Sequence, residues 1–133
     1  MRLMIPSAMD SIEALAVALR ESLDRGESDG VRLRLVRQFL MDSEGVDVAI
    51  RIAGEPSRTG SEQWDALLAG IAEHIAFHAG IRVPSWTAAP SRFLSTWWFL
   101  LPYPALHGIA LAESPPALAN RGVFIRRASL VNV

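Results

Sequence analysis

One segment, residues 61–79, constrains the fold more than any other part of this sequence. It reads SEQWDALLAGIAEHIAFHA, and its large apolar residues recur at intervals of three and four, as on one face of a helix: Trp64, Leu67, Leu68, Ile71 and Ile75. Ser61 is a favourable N-cap, and Gly80 follows where a helix would end. Two acidic residues, Glu62 and Asp65, place negative charge in the first turn. The sequence therefore predicts a central helix over 61–79.

Three further helices are predicted before the central helix. The first covers 7–25, with Ser7 or Asp10 as its N-cap. Residues 31–41 and 46–53 each combine alternating apolar residues, typical of a strand, with helical spacing. We interpret both as helices, the first because it is long and contains no turn residue, and keep a strand as the alternative for each.

Prolines divide the chain after the central helix into short segments. Residues 81–90 hold two prolines and predict an extended connection, and residues 91–99 predict a short aromatic helix. Pro104 suits the first position of another helix, over 105–113. The buried residues of that helix would be Leu106, Ile109 and Ala110.

A short helical turn from Pro115 or Pro116 and an extended apolar segment over 123–125 complete the pattern. The 133 residues are about one domain in length, and half of them are apolar. The sequence therefore predicts an all-α fold: a single compact domain over 1–133, with five to seven helices and a short extended C-terminal segment.

Composition excludes several classes of site. The chain has no cysteine, which rules out disulfides, thiolate metal sites and a cysteine nucleophile. The chain has 13 basic and 14 acidic residues, so it lacks the excess of positive charge that is usual in a module that binds nucleic acid without help from a partner. No G-x-S-x-G segment or GK[ST] phosphate-binding loop is present. No signal peptide is visible, and the most apolar segment, 93–106, is too short to span a bilayer. We expect a soluble, cytoplasmic protein that does not enter a membrane.

His74 and His78 have the only spacing in the sequence that is typical of a metal site. Residues four apart lie on one helix face, where two imidazoles can chelate zinc. The pattern is EHxxxH, so the glutamate precedes the pair, whereas in metalloproteases it lies between the two histidines. A third ligand would have to come from His107, Asp65 or another carboxylate. One hypothesis is therefore a metal-dependent hydrolase that uses this pair; the alternative is two hydrogen-bonded histidines at the boundary of a helix.

Large aromatic residues lie in and after the central helix: Trp64, Trp86, Trp97, Trp98 and Phe99. Tryptophans near prolines commonly form the packing centre of a small domain, because each buries a large area. If Trp86, Trp97 and Trp98 are exposed instead, they are candidates to bind a protein partner, since tryptophan and arginine are enriched among interface anchors.

Two sets of arginines are candidate partner-binding residues. Arg121, Arg126 and Arg127 are the one local basic cluster, which is either a solvated face or a contact for an acidic partner or a phosphate. Three more arginines lie in the predicted helix over 31–41 and are candidates for contact with DNA: Arg32, Arg34 and Arg37.

Three segments carry a resemblance to a known group of proteins: TGSEQWDALLAGIAEHIAFHAG, VPSWTAAPSRFLSTWWF and ALAESPPALANRGVFIRRASLVNV. Together they resemble an uncharacterised helical domain of actinobacterial proteins. In that domain a TGxxxWDALLAxxAEH block is followed by PxW, a WF pair and a PxAxxxRGVFI ending. The resemblance covers residues 59–133 well and the preceding part weakly.

The resemblance implies a regulatory or antitoxin-like role. Some relatives of the domain carry an N-terminal helix-turn-helix that binds DNA, and some occur beside nucleotidyltransferase-like toxins. The part of this chain before residue 59 contains no recognisable recognition helix, so the resemblance supplies no DNA-binding residues. We expect a non-enzymatic protein-interaction module that binds another protein, with a second copy of the chain as a further candidate partner.

Overall fold

The computed structural model describes residues 10–42, 47–100 and 103–130. Within these ranges the α-helices are α1 (Ile12–Asp24), α2 (Asp29–Asp42), α3 (Val48–Ala53), α4 (Glu62–Ala79), α5 (His107–Glu113), α6 (Pro116–Ala119) and α7 (Arg127–Leu130). Two short strands, β1 (Trp98–Phe99) and β2 (Val123–Phe124), pair in parallel. Three 3₁₀ turns lie at Ser85–Ala88, Pro90–Arg92 and Pro104–Leu106. The prediction of a compact, mostly helical fold with five to seven helices and a short extended C-terminal segment is confirmed.

The ends of α4 are those that the sequence predicts. The Ser61 hydroxyl accepts a hydrogen bond from the Trp64 amide at 3.3 Å, which satisfies one of the free N–H groups of the first turn. Gly80 ends the helix in the left-handed conformation, with φ of 68°, which a residue with a side chain rarely adopts.

The helices before α4 form as interpreted, with one correction at the first. Ser11 caps α1, because its hydroxyl accepts a hydrogen bond from the Ala14 amide at 3.1 Å. The prediction that Asp10 is the N-cap is wrong, and Ser7, the other residue proposed, lies outside the described residues. Both segments that mixed strand and helix signals are helical, as α2 and α3.

α4 is enclosed by the rest of the chain. The helices α1, α3 and α6 and the first two 3₁₀ turns pack against it, and α2 packs on α1. Its first three turns are buried on nearly every side: Trp64, Asp65, Ala66, Leu67, Leu68, Ala69, Gly70, Ile71 and Ala72. Its last turn emerges into solvent. Neither α4 nor any other helix in the described ranges is long and apolar enough to cross a membrane.

The predicted helix over 91–99 does not form. After the 3₁₀ turn at Pro90–Arg92 the chain extends and runs beside the C-terminal segment. Three amides donate to carbonyl oxygens of that segment: Leu94 to Arg121 at 3.0 Å, Trp98 to Gly122 at 2.8 Å and Leu100 to Phe124 at 3.0 Å. A distant segment therefore satisfies the backbone groups that a local helix would have satisfied.

Smaller corrections apply on either side of that segment. The connection over 81–90 contains a 3₁₀ turn, and α5 begins only at His107, after another such turn. Ala110 is buried as predicted and Leu106 is half-buried. The prediction that Ile109 is buried is wrong: α5 packs mainly on the third 3₁₀ turn and on β2, and Ile109 is 41% exposed. The C-terminal helix α7 had no sequence signal that we recognised.

Gly70 allows α6 to lie directly on α4. A Cβ atom at this position would collide with Cδ2 of Leu118, and it would lie 3.1 Å from Cγ of Leu118 and 3.3 Å from the Ala117 carbonyl oxygen. Leu118 is fully buried, so its side chain has little room to move away.

We expect Gly70→Ala to lower the free energy of unfolding by about 1–2 kcal/mol, because the cost of overpacking exceeds the gain in helix propensity. Gly108→Ala in α5 is the control, since an added Cβ there meets nothing within 4 Å. It should be neutral or stabilising by up to about 1 kcal/mol. Chemical denaturation measures both variants, and equal stability of the two would contradict the close approach of α6 to α4.

Candidate functional site

A groove of about 530 Å³ lies where α4, α5 and α6 meet the paired strands. Its wall is apolar except for one carboxylate and one amide. The lining residues are Glu73, Trp97, Leu111, Pro116, Ala117, Ala119, Asn120 and Phe124. Only Trp97 of this set was singled out from the sequence as a partner-binding residue.

The extended conformation before β1 places Trp97 at the mouth of the groove. Successive residues of an extended chain point to opposite sides, so the neighbouring tryptophans Trp97 and Trp98 separate. Trp98 points inward, 5.2 Å from Trp64 between ring centroids. Trp97 points outward, 63% exposed, with its ring 5.0 Å from that of Phe124. The result is a large indole surface open to solvent.

The remaining tryptophans predicted to bind a partner belong to the core. Trp86 is buried, and its indole N–H donates to the Ile52 carbonyl oxygen at 3.0 Å. Trp98 is buried against Trp64. Neither presents a ring that a partner could contact, which corrects the interpretation of Trp86 and Trp98 as surface anchors. It leaves Trp97 as the tryptophan in the described ranges that faces solvent.

Arg121 is not a surface residue but an internal link between elements. Its guanidinium donates from Nη1 to Glu73 Oε1 and to the Ala117 carbonyl oxygen, and from Nη2 to the Thr87 carbonyl oxygen at 2.8 Å. It also lies over the ring of Phe93, 4.6 Å from the centroid. With only 2% of its side chain exposed, Arg121 cannot take part in a basic partner-binding cluster.

The rest of that predicted cluster is divided. Arg126 is half-buried, and Arg127 is exposed at the first position of α7, where its backbone amide donates to Glu113 Oε1 at 3.0 Å. Since Arg121 is internal, the three arginines do not form one charged surface. A phosphate or acidic segment would find only Arg127 fully exposed there.

The arginines of α2 are divided in the same way. Arg32 is buried beneath α1, where it donates to the Glu27 carbonyl oxygen at 2.8 Å and to Asp29 at 2.7 Å. Its guanidinium lies 5.4 Å from the centre of the Trp64 ring. Arg34 is exposed and Arg37 half-buried. The proposed DNA contact through all three is corrected, because Arg32 is committed to the protein's own interior.

A buried arginine that the sequence analysis missed holds the loop before α4. Arg92 is completely buried and donates to the carbonyl oxygens of Asp65 at 3.1 Å and Pro56 at 3.0 Å. Its guanidinium lies 4.8 Å from the ring centre of Trp86. Burial lowers the pKa of Arg92, and the nearby Arg58 adds to the effect. No local sequence signal distinguishes it from a surface arginine.

The two histidines of α4 lie together near the exposed end of the helix. The ring centroids of His74 and His78 are 4.3 Å apart, and the ring planes meet at 64°. The proposed third ligands are engaged elsewhere: Asp65 accepts hydrogen bonds from the amide and hydroxyl of Thr59 at 2.9 Å, and His107 stacks on Phe99 at 4.0 Å. Among the described residues, no group of three potential ligands is assembled around the pair.

The pKa of His74 is lowered from its usual value near 6.5, chiefly because burial penalises the imidazolium and secondly because a charged His78 would repel it. The unfolded chain therefore binds more protons than the folded chain as the pH falls below that value. The contribution of His74 to the free energy of unfolding is therefore full above the pKa that His74 has in the unfolded chain. This contribution is lost as the pH falls through the lower pKa of the folded chain.

We expect NMR titration to give a pKa of His74 below 6.5. In His74→Gln, the free energy of unfolding should fall less steeply as the pH decreases below that value. His78→Gln is the matched variant. It should raise the pKa of His74 only part of the way, because burial, the larger cause, remains. A pKa of His74 at or above the usual value would contradict this account.

We expect Arg121→Met to lower the free energy of unfolding by about 2–4 kcal/mol, because it leaves buried carbonyl oxygens and Glu73 without their charged donor. Arg127→Met, at an exposed position, should change it by no more than about 0.5 kcal/mol. Denaturant unfolding of the two variants checks the difference. Similar stability would place the Arg121 side chain at the surface instead.

Comparison of the chain with protein-family models, with curated proteins and with solved structures finds no match to any of them. The groove and the histidine pair are therefore interpreted from their own geometry and chemistry.

Proposed function

We propose that the chain is a non-enzymatic protein-interaction module that binds an apolar segment of another protein in the groove beside Trp97. The observation that carries this proposal is the exposure of Trp97, 63%, at the mouth of an apolar groove of about 530 Å³. A tryptophan left open beside a concave apolar surface is typical of an interface anchor, and such residues dominate binding energies.

The chemistry of the groove suits an apolar segment with few charges. Trp97 and Leu111, which is also exposed, offer surface that a partner would remove from water. Asn120 is exposed at the rim and offers an amide that can donate and accept hydrogen bonds. Glu73, the only charged residue of the lining, is already neutralised by the Arg121 guanidinium.

The walls of the groove are held in place before any partner arrives. Arg121 connects α4 and α6, and the Ser114 hydroxyl connects the end of α5 to Ile125, the residue after β2, through two hydrogen bonds. The ring of Phe124 on β2 stacks on the ring of Phe99 on β1, with ring centroids 5.1 Å apart. A preformed site costs less conformational entropy on binding, which favours affinity.

The finer form of the proposal rests on the sequence resemblance. The resemblance supports a regulatory or antitoxin-like component with a partner encoded beside it. The alternative, a metal-dependent hydrolase using His74 and His78, has no third ligand beside the pair among the described residues: Asp65 is hydrogen-bonded to Thr59, and the ring of His107 stacks on Phe99.

The test is affinity capture from the native host with three forms of the chain: wild type, Trp97→Ala and Ile50→Ala. Ile50, on α3, is the control, because it is also an exposed apolar residue, 73% exposed, and does not line the groove. We expect a protein retained in stoichiometric amount by wild type and Ile50→Ala, and binding weakened by about 2 kcal/mol or more with Trp97→Ala.

The retained protein is then purified, and its affinity for each form is measured by calorimetry. Equal affinity for all three forms, or loss with Ile50→Ala alone, would contradict binding in the groove. Circular dichroism of the variants shows that each remains folded, so a loss of binding reports on the contact itself.

A further inference from the structure

The exposed end of α4 carries half of a metal site. His74 and His78 are four residues apart on one face of the helix, with ring centroids 4.3 Å apart. Rings at this separation can turn their nitrogens towards a common ion, as histidines four apart on a helix do in zinc enzymes. The nearest acidic residue in sequence, Glu73, faces the other way and accepts a hydrogen bond from Arg121.

Two ligands do not complete a zinc site. Zinc in structural sites takes four ligands in a tetrahedron, and catalytic sites supply three from the protein. In the part of the chain that the structure describes, no third histidine or carboxylate joins the pair. The described residues therefore leave coordination positions that water or another copy of the chain can fill.

The neighbouring surface favours a second copy. Phe77 lies beside the pair in the last turn of α4, is 77% exposed and contacts His78 edge-on, with ring centroids 5.5 Å apart. A two-fold axis through the ion would bring an identical pair of histidines opposite the first, giving four imidazoles around one ion. The same axis would bring the two Phe77 rings together and remove both from water.

We propose that zinc, or a similar divalent transition-metal ion, joins two copies of this chain through His74 and His78 of each. The ion holds the two helices α4 together, and Phe77 supplies the apolar part of the contact. This surface is separate from the groove: neither histidine nor Phe77 lines it. The proposal therefore stands or fails independently of partner binding beside Trp97.

The test uses the full chain without an affinity tag, because tag histidines would bind the metal. Sedimentation equilibrium measures the mass with zinc, with magnesium as an oxygen-preferring control metal, and with EDTA. We expect zinc alone to double the mass, EDTA to restore the monomer, and elemental analysis of the dimer to find about one zinc for two chains.

Variants separate the parts of the contact. His78→Gln, at an exposed position, should remain monomeric in zinc, while His107→Gln, which removes a histidine elsewhere, should dimerise like wild type. Phe77→Ala should bind zinc but raise the dimer dissociation constant by about tenfold or more, as for the loss of an interface aromatic. A monomer in zinc, with or without bound metal, would overturn the proposal, and so would a dimer that survives both EDTA and His78→Gln.

Discussion

The C-terminal half of the structure depends on the hydrogen bonds that the buried guanidinium of Arg121 donates. One planar group binds the carboxylate of Glu73 on α4, the Ala117 carbonyl oxygen on α6 and the Thr87 carbonyl oxygen in the first 3₁₀ turn. The backbone carbonyl of the same residue accepts from Leu94. Several elements are hydrogen-bonded to this one residue. Its hydrogen bonds therefore hold in place both the paired strands and the helices around the groove.

Two other arginines have a similar structural role in this chain, which has no cysteine to form disulfides. Arg92 and Arg32 are also buried, each donates to backbone carbonyl oxygens, and each lies over a tryptophan ring. A guanidinium suits this role because its donors form a planar fork and its face stacks on aromatic rings. Trp64 and Trp86 therefore have two roles: each packs in the apolar core, and each makes a cation–π contact with a buried arginine. Three of the four tryptophans are internal, and Trp97 is the exception.

The parts of the fold that local periodicity encodes could be predicted, and the parts that depend on distant contacts could not. The helix over 61–79 has a cap, an apolar stripe and a terminal glycine in its own sequence, and it forms as expected. The segment over 91–99 has apolar residues at helical spacing, but its amides bond to residues 121–124, which no local pattern reveals. The same limit applies to the site. Composition identified Trp97, while Arg121 and Trp86 were misplaced because burial of a charge or an indole depends on partners far along the chain.

The proposed binding surface depends on one tryptophan of four being open to solvent in the free chain. Fluorine NMR of protein labelled with 5-fluorotryptophan tests it most directly, with a soluble paramagnetic agent and with Trp97→Phe to assign the signal. We expect one strongly broadened resonance, absent in Trp97→Phe, and three protected ones. Protection of all four resonances, or broadening of the signals from Trp86 or Trp98, would contradict it.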